Sequence, residues 1–234
     1  MYHFSIAPES FPGETYGITN LELKDGCFGA PLCELSGAQI EDLRDELIDR
    51  LCRIALYETT MHVTEQERYV LFFRRAHLLA VENVFLPWEA IAGADDAAIR
   101  AIIAMGESFS IRVLFQFYAE HLEEFGPDRY MALRSEATGL VYDPIEYVKQ
   151  HIQPYRYVLY KCAWKDDIRF LRIRDAVYDS LTPVLPGTGN AEVRECASGL
   201  LLRSYPGYFS FGTYSDALPM PEVIRAFGNA LRLL

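Results

Sequence analysis

The sequence predicts an α+β fold in which a helical hairpin and further helices pack on a small, mainly antiparallel sheet formed by the N- and C-terminal segments. Three observations carry this. Extended runs punctuated by turn formers occupy both ends of the chain, helix caps and helical periodicity mark the middle, and the composition suits one core. Of the 234 residues, 50% are hydrophobic and 24% charged, so a single domain over 1–234 is expected. Its acidic helical part covers about 36–126 and its aromatic-rich, β-containing part about 127–234.

Each element has its own warrant. Asp25-Gly26 between Leu21-Glu22-Leu23 and Pro31-Leu32-Cys33 reads as an N-terminal β-hairpin. Ser36 and Gln39 make a capping box, and Ile40, Leu43, Leu47, Leu51 and Ile54 follow at helical spacing, giving a helix from about 37 to 59. A second box, Thr64 with Glu67, opens a helix whose stripe is Val70, Phe73, His77, Ala80 and Val84, ending at Pro87. The two are expected to form an antiparallel helical hairpin. Asp95 caps a third helical region bearing Ile99, Ile102, Ile103, Val113, Leu114, Phe117 and Leu122, with a break at Gly106-Glu107-Ser108 and an end at Gly126-Pro127. Asp143 and Pro144 start a short fourth helix that stops before Pro154.

Farther on, Tyr155 to Lys165 is aromatic and β-branched and reads as a strand, whereas periodicity leaves 166–181 open between helix and strand. Leu200 to Tyr205 and Tyr208 to Tyr214 flank Pro206-Gly207 as a second hairpin. Pro221 then opens a helix with Val223, Ile224, Phe227, Leu231 and Leu234 on its stripe.

Charge and cysteine usage bound the function. A net charge of −11 repels phosphate backbones and anionic membranes, which argues against nucleic-acid binding. The acidity is confined: residues 1–127 hold 21 acids and 9 bases, residues 128–234 hold 12 acids and 13 bases. Five scattered cysteines lack the pattern of a disulfide framework or a zinc knuckle. With neither a basic-then-apolar start nor a run of about 18 apolar residues, the expected location is the cytoplasm.

No hydrolase signature such as Gly-x-Ser-x-Gly or His-Glu-x-x-His occurs. Pro186-Gly187-Thr188-Gly189-Asn190 has the composition of an anion-cradling loop, but it lacks the Gly-Lys-Ser/Thr continuation of a nucleotide site and is read as an ordinary surface turn. The segment Tyr155 to Lys165 is the most distinctive, because six bases face only Asp166 and Asp167 between Arg156 and Arg174. As a strand it would place aromatic walls beside cations. The expectation is a cytoplasmic enzyme or ligand-binding domain with an aromatic-lined pocket for a small aromatic or apolar acid. Arg156 and Lys161 would hold the anion, Tyr157, Tyr160 and Trp164 would form the wall, and His77 or His121 would be the general base. The alternative is an acidic, non-enzymatic interaction protein (adaptor, inhibitor or immunity-type factor) that uses Glu41, Asp42, Asp45 and Asp49 to engage a basic partner protein. A third reading is a metal-dependent enzyme with Glu58, His62 and His121 as helix-borne ligands, although the paired Glu-x-x-His motifs of a di-iron bundle are missing. None of these readings fixes a cofactor.

Overall fold

In the computed structural model, which describes residues 3–8, 10–212 and 218–232, eight strands follow one another in chain order around a closed barrel. They are β1 (His3–Ile6), β2 (Asn20–Lys24), β3 (Arg53–Glu58), β4 (Asn83–Phe85), β5 (Arg112–Phe115), β6 (Thr138–Tyr142), β7 (Ile168–Arg172) and β10 (Tyr208–Phe211), with β10 next to β1. Their pairings are parallel. Two short strands, β8 (Asp175–Ala176) and β9 (Pro183–Val184), form a separate antiparallel pair. The helices are α1 (Gly37–Asp49), α2 (Gln66–Leu78), α3 (Trp88–Ile91), α4 (Asp96–Ser108), α5 (Pro127–Leu133), α6 (Ile145–Val148), α7 (Val193–Leu201) and α8 (Met220–Leu231). The fold is thus a parallel βα-barrel, and the expected α+β arrangement with a small antiparallel sheet is overturned.

Two compact units make up the chain. The N-terminal unit comprises Ser5–Gln116 and Asp128–Gly139; the C-terminal unit comprises Phe117–Pro127, the chain from Leu140 onward, and the residues up to Phe4.

In the N-terminal unit strands alternate with helices. Ser36 caps α1 through the expected box, its hydroxyl accepting from the Gln39 N–H at 3.3 Å. The helix stops at Asp49, however, and Leu51 turns with φ +55° and lies 82% exposed, while Ile54 belongs to β3. The expected hairpin of helices does not form, because β3 intervenes. Along α2 the buried residues are Tyr69, Phe72, Phe73 and Ala76. The expected stripe was displaced by one residue, about 100° around the axis, so Val70, His77 and Ala80 are exposed instead. Thr64 is not the cap either: α2 begins after Glu65, with no side-chain cap bond. Asp95 does cap α4, accepting from the Ala98 N–H at 2.8 Å, and the break expected at 106–108 is the end of that helix. Beyond it Val113 and Leu114 lie in β5, not in a helix. Asp25-Gly26 is a turn, with Gly26 at φ +91°, but it leads from β2 toward α1 and not into a hairpin.

In the C-terminal unit the connections are irregular. Residues 155–165 are no strand: Pro154–Leu159 forms a π-helical turn, followed by turns and a 3-10 segment at Lys165–Asp167. The open segment 166–181 supplies β7 and β8. The second expected hairpin is also absent, since Leu200 and Leu201 end α7 while Tyr208–Phe211 pairs in parallel with β7. Alternation along β10 divides its side chains. Phe209 and Phe211 pack on Phe227 of α8, with ring centroids at 5.3 and 6.0 Å, whereas Tyr208 stacks on Phe170 of β7 at 4.9 Å. The expected helix after Pro221 is α8, with Val223, Phe227 and Leu231 buried; Leu234 lies outside the described residues. No helix among the described residues is long and apolar enough to cross a membrane.

Candidate active site

In parallel βα-barrels the chemistry sits at the carboxyl ends of the strands, where the following loops converge. The polar side chains found there fall into one set in each unit.

The C-terminal unit contributes Asp143, which immediately follows β6. Its side chain is 2% exposed, and it accepts on both oxygens. Oδ1 takes the Ile145 N–H at 3.0 Å and so caps the turn into α6, while Oδ2 takes Nη1 of Arg174, just past β7, at 2.7 Å. The Arg174 side chain remains 40% exposed. A buried carboxylate is thus held by a backbone N–H on one oxygen and by a partly exposed guanidinium on the other. Within β7, Arg172 donates to Ser210 Oγ of β10 at 2.7 Å. Nearby Glu146 is 5% exposed and holds the Lys149 ammonium at 2.9 Å and the Ala119 N–H at 3.0 Å. Burial pushes the Tyr142 and Tyr147 phenols well above their ordinary range, so both stay protonated, and Tyr142 donates to the Pro154 carbonyl at 2.8 Å.

One residue beyond Arg174, Asp175 is 2% exposed. Four backbone N–H groups donate to its carboxylate: Ala176 and Ala191 at 2.9 Å to Oδ1, Gly187 at 2.8 Å and Gly189 at 3.0 Å to Oδ2. The glycine loop singled out in the sequence therefore does surround an anion, and that anion is the protein's own. A Cβ at Gly189 would fall 2.4 Å from Oδ1, so glycine is what lets the loop close on the carboxylate. Burial still pushes the Asp175 carboxyl upward, against the pull of these donors.

The N-terminal unit carries a second set. Ser5 Oγ donates to Glu22 Oε1 at 2.6 Å, both residues buried. Lys24 and Glu58 are register partners at the ends of β2 and β3. Asp25 then gathers the strand ends, accepting from Tyr57 OH at 3.0 Å, Thr59 Oγ1 at 2.6 Å and the Leu32 N–H at 3.3 Å. Burial first, and Asp25 second, raise the Tyr57 phenol, which keeps it a donor.

The residues expected from sequence are dispersed. His77 is exposed near the end of α2, with Nδ1 3.1 Å from the Phe109 carbonyl, and His121 ends a 3-10 segment 3.7 Å from Glu124. They belong to different units: α4, which packs on α2, ends at Ser108 and the chain continues as β5, so His121 is not on that helix. Glu58 ends a strand and not a helix; the His62 ring lies 2.7 Å from Thr64 Oγ1 and 3.0 Å from the Ala92 carbonyl. Among the described residues no group of three His, Cys, Asp or Glu side chains could hold a metal ion. Arg156 and Lys161 lie over Tyr157, at 5.5 and 5.2 Å from its ring centroid, and Tyr157 is 52% exposed. Tyr160 is also exposed, but Trp164 is buried against Phe117 and Tyr142, so the three aromatic rings do not form one wall. Sequence reasoning saw Asp143 only as a helix cap and missed Arg174. The available signal was the apolar run Thr138–Tyr142 directly before Asp143-Pro144, which marks a strand end opening into a helix.

No protein-family model and no curated protein matches this chain. Solved structures do match over nearly all of it. A xylose isomerase domain protein from Planctomyces limnophilus superposes with a TM-score of 0.71 at 10% identity, over 99% of this chain and 95% of that one. A D-tagatose 3-epimerase-like protein gives 0.69 at 15% identity, over 99% and 97%. D-psicose 3-epimerase from Clostridium cellulolyticum H10 gives 0.68 at 12% identity, over 93% and 90%. This likeness shows the barrel fold. Glu41, Asp42, Asp45 and Asp49, expected to engage a basic partner protein, lie on the exposed side of one barrel helix, and nothing supports such a partner.

Proposed function

We propose that the chain is an enzyme acting on a small polyhydroxylated molecule, by an isomerisation or epimerisation of the kind for which the similar barrels are named. The observation that carries this is the Asp143–Arg174 pair at the carboxyl ends of β6 and β7. The partly exposed guanidinium donates to a substrate oxygen, and the buried carboxylate holds it in place. The negative charge that develops on a substrate carbonyl oxygen in such a reaction is stabilised by a fixed arginine. The pair is neutral as a whole, which favours an uncharged polyol over the aromatic or apolar acid expected from sequence. Among the described residues the aromatic wall imagined for that acid is divided between surface and core.

The test is proton exchange. With D-tagatose, D-psicose, D-fructose and D-xylose in heavy water, proton NMR should show deuterium entering at the carbon next to the carbonyl of at least one sugar. Asp143→Asn and Arg174→Ala should each slow exchange by about 10²-fold or more. Full exchange in both variants would overturn their assignment, and silence with every sugar would overturn the carbohydrate reading.

A further inference from the structure

We infer that the outer layer of the C-terminal unit carries a second ligand site, which takes a flat aromatic ring bearing an oxyanion, in a cleft between the π-helical turn Pro154–Leu159 and α7. The cleft has a volume of about 220 Å³ and is lined by Tyr155, Tyr160, Gly199 and Leu200, with Lys165 and Arg203 also among its lining residues. That volume suits a single substituted ring and falls short of the roughly 300 Å³ at which pockets for larger ligands begin.

The walls are fixed in advance. The Tyr155 N–H donates to Glu192 Oε2 at 2.8 Å, which anchors the start of the turn to the residue before α7. Its ring lies so close to α7 that a Cβ at Gly199 would come within 2.5 Å of Cε2, so only glycine admits the ring there. Tyr160 meets Tyr155 edge-on at 6.1 Å and leaves ring surface open, being 66% exposed. Leu200, 2% exposed, provides an apolar contact. Tyrosine faces bind a flat ring by offset or edge contact, and the two cations in the lining select one that carries negative charge. The carboxylate seen near Arg203 is Asp166, at 3.8 Å and largely exposed, too loose a pair to compete with a bound oxyanion. Lys165 and Arg203 precede β7 and β10, whereas the chemistry proposed above lies past the ends of β6 and β7, so this site stands independently of that reading.

A carboxylate and a phosphate ester share the required chemistry, and the experiment separates them. Benzoate, phenyl phosphate and inorganic phosphate are titrated into the whole protein while tyrosine fluorescence and ligand-observed NMR are followed. Saturable binding of benzoate or phenyl phosphate, tighter than that of inorganic phosphate, is expected, and whichever ring binds tighter identifies the anion. Lys165→Ala with Arg203→Ala should weaken it at least about tenfold without moving the melting temperature. Gly199→Ala should weaken it as well by displacing Tyr155; because that variant strains the helix packing, the double cation variant decides if it fails to fold. Three results would overturn the site: no binding of either ring, equal binding of inorganic phosphate and phenyl phosphate, or unchanged affinity in the double variant.

Discussion

The two units of this barrel connect their strands in different ways. The N-terminal unit uses three helices of 13 residues each, α1, α2 and α4, to carry the chain from strand to strand. In the C-terminal unit, β6 and β7 are joined through the 4-residue α6, a π-helical turn and a 3-10 segment, and β7 reaches β10 by way of the β8–β9 pair and the 9-residue α7. Regular helices derive their stability from a buried apolar stripe, whereas irregular connections must satisfy their backbone groups one by one. The first unit is accordingly held by rings: Phe72 touches Tyr57, Tyr69 and Phe73, and Phe73 stacks on Phe109 at 6.3 Å. The second, besides its own ring contacts, has carboxylates that collect N–H groups: Asp175 takes four, and Glu192 takes those of Tyr155 and Arg156.

If that contrast is right, its largest signature is in the ring cluster. Phe72 is fully buried, and Phe72→Ala should cost about 3–5 kcal/mol by leaving a cavity among aromatic neighbours, measured as a lower urea midpoint with an unchanged slope. A loss under about 1 kcal/mol would mean that the N-terminal unit does not depend on its rings.

A somewhat smaller loss, about 2–4 kcal/mol, is expected for Asp175→Ala, since its amides would lose their acceptor and those of Ala176 and Ala191 are buried. Hydrogen exchange should sharpen the result, with protection falling at Gly187, Gly189 and Ala191 and staying unchanged in α2. Equal loss of protection in both places would erase the distinction between the units.

The smallest effect is chemical and leaves stability untouched. Burial pushes the Cys162 thiol up to about 11, with Lys165 pulling weakly the other way. A raised thiol pKa means that the neutral form persists as pH rises, so at pH 8 only about one molecule in a thousand carries the thiolate there. Alkylation of Cys162 should be slow at pH 8 and should climb about tenfold per pH unit up to about pH 11. Rapid labelling at pH 8 would show that the turn around Cys162 is open and not packed.

The contrast also explains what could be read from the sequence. Helix starts marked by a side chain bonding to nearby backbone were legible, as at Ser36 and Asp95, because the signal is local. The strands were not, because a parallel strand buried on both faces is a short apolar run without alternation. Asn83–Phe85 and Arg112–Phe115 are such runs, and helical spacing absorbed Val84, Val113 and Leu114 into neighbouring helices. In 155–165, β-branched and aromatic residues imitated a strand where the chain forms a π-helical turn packed against α7. The candidate site escaped for a related reason: Asp143 and Arg174 lie 31 positions apart, and only the adjacency of β6 and β7 brings them to 2.7 Å.

The glycine loop at 187–189 shows how a receptor can be occupied by its own chain. Its amide donors are arranged as they would be for a free anion, but Asp175, 12 positions before Gly187, is tethered beside them. A tethered group competes at an effective concentration of about millimolar or more, with no loss of translational freedom on binding. Dissolved phosphate therefore meets a receptor that is already saturated, and the loop serves as a clasp. Wherever a Gly-x-Gly segment follows an acidic residue at such a distance, that internal competitor has to be considered before an external anion is assigned.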